Sequence, residues 1–209
     1  MIPRCFHRIW VGGQMPDEFR AYGETWRQHH PDWTMLEWDE GSLPILENQG
    51  IFDRAEQLAP GSEGQLRADV ARYELLYRFG GVYVDCDFEC LRPIEPLIGN
   101  IEAFAAWETD DVWINNALLG FTAGHPFLRR LIDGLAANVR QSRGKRPNVM
   151  TGPQYVTRLW RQDPAGVAVF ASKLFYPYRF DELHRSGEAF PDAYAIHRWA
   201  NARRRAGHP

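Results

Sequence analysis

The chain has 209 residues, of which 44% are hydrophobic and 24% charged, with a net charge of −3 and a pI near 6.2. That balance describes one globular domain with its own core, expected to span 1–209, and makes no global electrostatic case for nucleic acid. No apolar run approaches the length of a membrane span, and Arg4 and Arg8 interrupt any leader-like N-terminus, so a cytosolic chain is expected, at most peripheral at the inner membrane face. Cys5, Cys86 and Cys90 are an odd set with no second Cys/His pair to complete a zinc site; they read as free thiols.

In chain order, residues 2–13 read as a first strand ending in a glycine turn. Trp10 stands just before the turn, and core packing is the ordinary place for it. His7 alternates with Arg8 and reads as structural. Pro16 and Asp17 open a helix to about His29, with Phe19, Tyr22 and Trp26 on its apolar side. The adjacent His29 and His30 do not face one ligand and are not taken for a metal site. Residues 34–38 form a second strand, and 41–64 read as short helices broken at Gly50 and at Pro60-Gly61.

The stretch 66–87 organises the rest. Leu66, Val70, Tyr73 and Tyr77 form one apolar stripe at helical spacing, with Asp69 and Arg72 beside it, one turn apart. Gly80-Gly81 stops the helix, because glycine reaches the left-handed region at little cost. Val82-Tyr83-Val84 suits a buried strand, and Asp85 and Asp87 follow at its C-terminal end, where open α/β sheets place ligands. Two carboxylates at i, i+2 can turn towards one hard cation. Alone, such a D-x-D pair is also what a solvated turn looks like.

Beyond it, 88–92 continues extended, Pro93 and Pro96 make a turn, and 102–107 and 113–121 read as strands. Asn115-Asn116 interrupts the second as a turn, a bulge or a sugar contact. Glu108, Asp110 and Asp111 stand at or beside the intervening turn and stay open as groups that face a ligand. A helix runs from Phe127 to about Arg140, followed by a basic loop, 141–147, that reads as solvated or as a contact for an anionic acceptor or lipid headgroup. Another helix follows Thr151-Gly-Pro, then short strands at 167–170 and 174–176. Residues 193–199 read as the last strand, with His197 and Trp199 on one face. The Arg-rich end, 200–209, is expected to fray.

The run D-V-A-R-Y-E-L-L-Y-R-F-G-G-V-Y-V-D-C-D, with I-P-x-x-x-H-x-I-W-V-G-G before it and Y-A-I-H-R-W after it, resembles family 32 of the D-x-D glycosyltransferases. That family takes in initiating mannosyltransferases and capsule or glycolipid transferases, and its pattern is shared by the clostridial glucosylating toxins. The resemblance implies an α/β, GT-A (Rossmann-like) fold with a mixed central sheet flanked by helices. It implies a UDP- or GDP-sugar donor, Mn²⁺ or Mg²⁺, retention of configuration, and a glycan, glycolipid or polysaccharide precursor as acceptor. Asp87 then contacts the metal, Asp85 the metal or the ribose, and His197 completes the shell. Asp69 and Arg72 hold the donor sugar, Tyr83 contacts the nucleotide or sugar, one of Asn115 and Asn116 lines the donor or acceptor pocket, Trp10 lies on the base, and Trp199 donates to the diphosphate. A toxin-like protein glycosyltransferase and a non-catalytic sugar-nucleotide-binding protein are the alternatives.

Overall fold

The computed structural model describes residues 1–205 and 207. In chain order its elements are β1 (Cys5–Ile9), α1 (Asp17–His29), β2 (Thr34–Trp38), α2 (Gln49–Asp53), α3 (Ala55–Leu58), α4 (Glu63–Phe79), β3 (Gly81–Val84), β4 (Phe88–Cys90), α5 (Glu95–Ile98), β5 (Ala103–Thr109), β6 (Trp113–Phe121), α6 (Pro126–Gln141), α7 (Pro147–Met150), α8 (Pro153–Gln162), β7 (Ala168–Phe170), β8 (Ala195–His197) and α9 (Ala200–Arg205). A six-stranded sheet runs β2-β1-β3-β6-β5-β7, and β4 and β8 make a separate two-stranded ladder. The β2-β1-β3 half is parallel, β6 is antiparallel to both its neighbours, and β7 is parallel to β5. This is the mixed α/β sheet flanked by helices that the sequence led us to expect.

The Gly80-Gly81 pair sets the path from α4 into the sheet. Both residues have positive φ, +64° and +98°, and a Cβ on Gly81 would stand 2.7 Å from the Cys5 carbonyl oxygen. Glycine is therefore required here both by dihedral and by the close approach of β1. One face of the sheet packs on α4, α6 and α8 through residues such as Leu66, Leu119, Leu131 and Val156. The other packs Phe6, Trp26, Val82, Val84 and Phe88 beneath α1 and the β4–β8 ladder. Trp26 reaches across this layer and donates its indole N–H to the Phe88 carbonyl at 2.9 Å.

Several local expectations are corrected. Helix α4 starts at Glu63 and is buried on more than one stripe, with Ala68, Asp69, Ala71, Arg72, Glu74 and Leu75 all buried. Residues 174–176 are not a strand: Ser172–Leu174 forms a 3-10 turn, closed by the Tyr176 N–H on the Ser172 carbonyl at 2.6 Å. Asn115-Asn116 is not a turn but lies within β6, where the pairing with β5 jumps from Phe104↔Gly120 to Ala106↔Asn115. Strand β8 ends at His197, and Trp199 turns the chain with φ +52°. The expected frayed end is helical over Ala200–Arg205, and Arg203 pairs with Glu18 at 2.6 Å; residues 206, 208 and 209 lie outside the described residues. Among the described residues no helix is long and apolar enough to cross a membrane.

Candidate active site

Strand β3 ends at Val84, and the Asp85 N–H donates to the Ala117 carbonyl at 2.8 Å, which holds the first carboxylate at the sheet's C-terminal edge. The chain then leaves the main sheet, and β4 pairs with β8 so that Phe88 lies directly opposite His197. The Arg198 N–H donates to the Asp87 carbonyl and the Ala200 N–H to Asp87 Oδ2, both at 2.8 Å. This pairing places His197 Nε2 3.1 Å from Asp87 Oδ1 and 3.8 Å from Asp85 Oδ2. One ligating atom from each of the three residues lies within 4.8 Å of the others.

The imidazole is buried, yet neither ring nitrogen makes an aligned hydrogen bond. Buried polar atoms are normally paired. Two carboxylates beside an uncommitted imidazole nitrogen suit Mn²⁺ and tolerate Mg²⁺, so these residues fit the divalent cation that the resemblance implies. Burial pushes the His197 imidazolium towards deprotonation, but the Asp87 and Asp85 carboxylates outweigh it and hold its pKa at about 10. Burial likewise opposes ionisation of Asp87, and His197 more than reverses this, so Asp87 stays below the usual carboxylate range.

The match to known proteins follows the same stretch of chain. The glycosyltransferase sugar-binding region containing the DXD motif matches over residues 16–104, from the start of α1 into β5. That match takes in less than half of the chain, and over this stretch the chain is similar to the DXD-containing glycosyltransferases. It is 27% identical to inositol phosphoceramide mannosyltransferase 3 of Schizosaccharomyces pombe over 95% of its own length and 60% of that protein's. It is 30% identical to mannosyltransferase 1 of the same series over 75% of its length and 50% of that protein's, so the chain spans little more than half of these relatives. Among solved structures, the PaToxG glycosyltransferase superposes with a TM-score of 0.63 at 15% identity, covering 78% of this chain and 70% of that one. The UDP-bound glycosyltransferase domain of the YGT toxin gives 0.57 at 11%, covering 80% and 79%. The fold is GT-A.

The pair singled out on α4 is no exposed helix-edge contact. Asp69 and Arg72 are 1% and 2% exposed, and Arg72 bridges two carboxylates, Asp69 at 3.0 Å and Asp85 at 3.2 Å. Asp69 also accepts from Thr151 Oγ1 at 2.7 Å and Asn116 Nδ2 at 2.8 Å, while Arg72 donates to the Asn116 carbonyl at 2.6 Å. The Tyr73 hydroxyl donates to the Thr151 carbonyl and accepts from Asn116. Burial raises the Asp69 pKa against the pull of Arg72, Thr151 and Asn116. As these side chains stand, their polar atoms are spent on one another, and the network braces Asp85 from behind.

Three further expectations change. Tyr83 is buried, its hydroxyl donates to Asp85 Oδ1 at 2.6 Å and its ring lies 4.2 Å from the Arg72 guanidinium, so it positions the carboxylate and does not reach outward. The Trp199 indole N–H is bonded to the Tyr178 carbonyl at 3.0 Å, and its ring packs edge-on against His197 at 4.2 Å; it shapes the imidazole's seat and has no N–H free for a diphosphate. Of the two asparagines, Asn116 serves Asp69, whereas Asn115 donates to Glu108 Oε2 at 2.7 Å. Trp10 is half-buried beside Phe19, with its indole nitrogen unpartnered, a placement that leaves the base-platform role open. Thr151, Tyr73 and Glu108's tie to Asn115 were not legible as site features. Thr151 read only as a helix start, and nothing local marks it as the partner of a carboxylate 82 residues away.

The His197 ionisation has a measurable consequence. A metal ion held through His197 would have to displace the histidine proton, and Asp87 and Asp85 move that proton's loss from near 6.5 up to about 10. Wild-type affinity for Mn²⁺ should therefore rise by about tenfold per pH unit across pH 6–8, where one proton is released per ion bound. His197→Gln should bind more weakly and with a near-flat profile; equal affinities and slopes by calorimetry in the two proteins would remove His197 from the shell. In the metal-free protein the raised pKa stabilises the fold fully below about 6.5, and this contribution is lost as pH rises towards about 10.

Proposed function

We propose that this protein is a metal-dependent, retaining glycosyltransferase that moves a sugar from a nucleoside-diphosphate sugar to a glycan, glycolipid or polysaccharide precursor. The observation that carries the reading is the convergence of Asp85, Asp87 and His197 at the C-terminal edge of β3, with one ligating atom of each within 4.8 Å of the others. A divalent cation held there would neutralise the charge that develops on the departing diphosphate. Arg72 and Tyr83 hold the Asp85 carboxylate in place, and the Ala200 N–H holds that of Asp87. Retention through a covalent intermediate would need a free carboxylate nucleophile. Asp69 is enclosed by Thr151, Asn116 and Arg72, and Glu108 is engaged by Asn115, so a same-face displacement is the better-supported course.

The names of the curated relatives make mannose the first donor sugar to test and a phosphate-bearing sphingolipid the first acceptor. A cleft of about 440 Å³ between the 57–62 segment and the basic loop suits an anionic acceptor: Arg143, Lys145 and Arg146 line it, and no acidic side chain does. Ser62 lines it, next to the start of α4, roughly 10 Å along that helix from Asp69.

Thermal melts with UDP, GDP and their sugars, each with and without Mn²⁺ or Mg²⁺, test the reading. A bound donor should raise the midpoint by mass action, and only with metal. Incubation with labelled donor and either a phosphoinositol-bearing or a neutral glycolipid then reads transfer. No metal-dependent shift with any nucleotide would overturn the proposal; a shift without transfer to any acceptor would leave a binding protein.

A further inference from the structure

Tyr176 stands at the same site with no partner. Its ring lies among Phe88, His197 and Trp199, with centroids at 5.3, 5.7 and 5.9 Å. The residue is 2% exposed, and its hydroxyl is sealed from solvent without a hydrogen-bond partner among the described residues. A buried hydroxyl left unpaired is costly and uncommon, so one that persists calls for an explanation. Its ring packs against His197, one of the three residues that converge at the candidate metal site.

Three other donors nearby are already engaged. The Tyr83 hydroxyl is bonded to Asp85, the Trp199 indole to Tyr178, and the Asn115 amide to Glu108. The phenol proton has no assigned acceptor in the protein, while the site it borders is built to receive an anion through a cation. We propose that the Tyr176 hydroxyl donates a hydrogen bond to an oxygen of the ligand held at Asp85, Asp87 and His197, either a phosphate oxygen of the diphosphate or a water on the cation. This rests on the glycosyltransferase reading and adds a residue to its donor site. It accounts for a hydroxyl that would otherwise be an uncompensated loss, and phenylalanine would fill the same space without it.

Tyr176→Phe tests this. Because no protein group bonds the oxygen, the variant should melt at or above the wild-type temperature. Its affinity for UDP or GDP in the presence of Mn²⁺, measured by calorimetry, should fall by about tenfold to a hundredfold, the range for a hydrogen bond to a charged group. Titration with Mn²⁺ alone separates the two sources: a loss already present there assigns the partner to metal-bound water, and a loss seen only with the diphosphate assigns it to phosphate. Equal affinities of the two proteins in both titrations would overturn the proposal and leave the glycosyltransferase reading standing. A drop in melting temperature of several degrees would also overturn it, by showing that the hydroxyl has a partner inside the protein. Wild-type protein that binds no nucleoside diphosphate with Mn²⁺ would instead overturn the reading on which the proposal rests.

Discussion

Asp87→Asn is expected to abolish metal-dependent donor binding at ordinary concentrations and to lower any transfer rate by roughly 10²–10³-fold, the scale seen when one preorganised charge-stabilising group is removed. The side chain is nearly isosteric, and its amide oxygen can still accept from the Ala200 N–H. What disappears is the negative charge 3.1 Å from His197 Nε2. The histidine's pKa should fall in the variant, because Asp87 is the largest influence holding it up against burial. A control in which Asp163, paired with Arg130 at the surface, is changed to Asn should leave binding untouched. Calorimetry with nucleoside diphosphate and Mn²⁺, alongside a turnover assay, reads both effects. Near wild-type transfer by Asp87→Asn would show that this D-x-D pair does not hold the metal.

The second large effect is on stability. Arg72→Leu should cost about 3–5 kcal/mol in denaturant unfolding, because it strands two carboxylates, one of them fully enclosed, without their shared cation. An exposed helix-edge pair would cost less than about 1 kcal/mol. The sign of the pH dependence is a further check. Asp69 already has a raised pKa, and without Arg72 it should rise more, so the native state holds a proton that the unfolded state gives up. The stability of Arg72→Leu should therefore recover as pH falls from 7.5 towards 5, because uptake of a proton by Asp69 removes the unmatched charge in the fold. A loss under 1 kcal/mol, or one independent of pH over that range, would contradict the buried-bridge account.

Much of this architecture was readable along the chain because its causes are local. The bounds of α1 follow from Pro16 and Asp17 at one end and His30-Pro31 at the other, and the observed helix is Asp17–His29. The glycine pair and the Val82-Tyr83-Val84 run placed Asp85 and Asp87 at the end of a buried strand, and they stand there. Neighbouring residues suffice for such inferences, since helix stops and strand propensity act within a few positions. The free cysteines and the structural histidine followed from composition and alternation in the same way: His7 is fully buried, with Nε2 2.9 Å from the Gly80 carbonyl.

What the tertiary structure alone decided is which distant groups meet. His197 lies beside Asp87 because β4 pairs with β8, a ladder whose strands are more than a hundred residues apart; without the family resemblance, it was one histidine among seven. Helical periodicity marked one apolar stripe on α4, but β6 on one side and the Thr151-Gly152 turn on the other enclose Asp69 and Arg72 as well. That enclosure turns a weak surface pair into a bridge whose charges cannot be left unmatched. The roles expected of Tyr83 and Trp199 changed for the same reason, since a hydroxyl or indole N–H goes to whichever acceptor the fold brings within reach, and here those were Asp85 and the Tyr178 carbonyl. Local sequence sets which residue types stand on which face of an element; the pairing of elements, which depends on burial across the whole chain, sets which of their polar atoms are spent and which are left for a ligand.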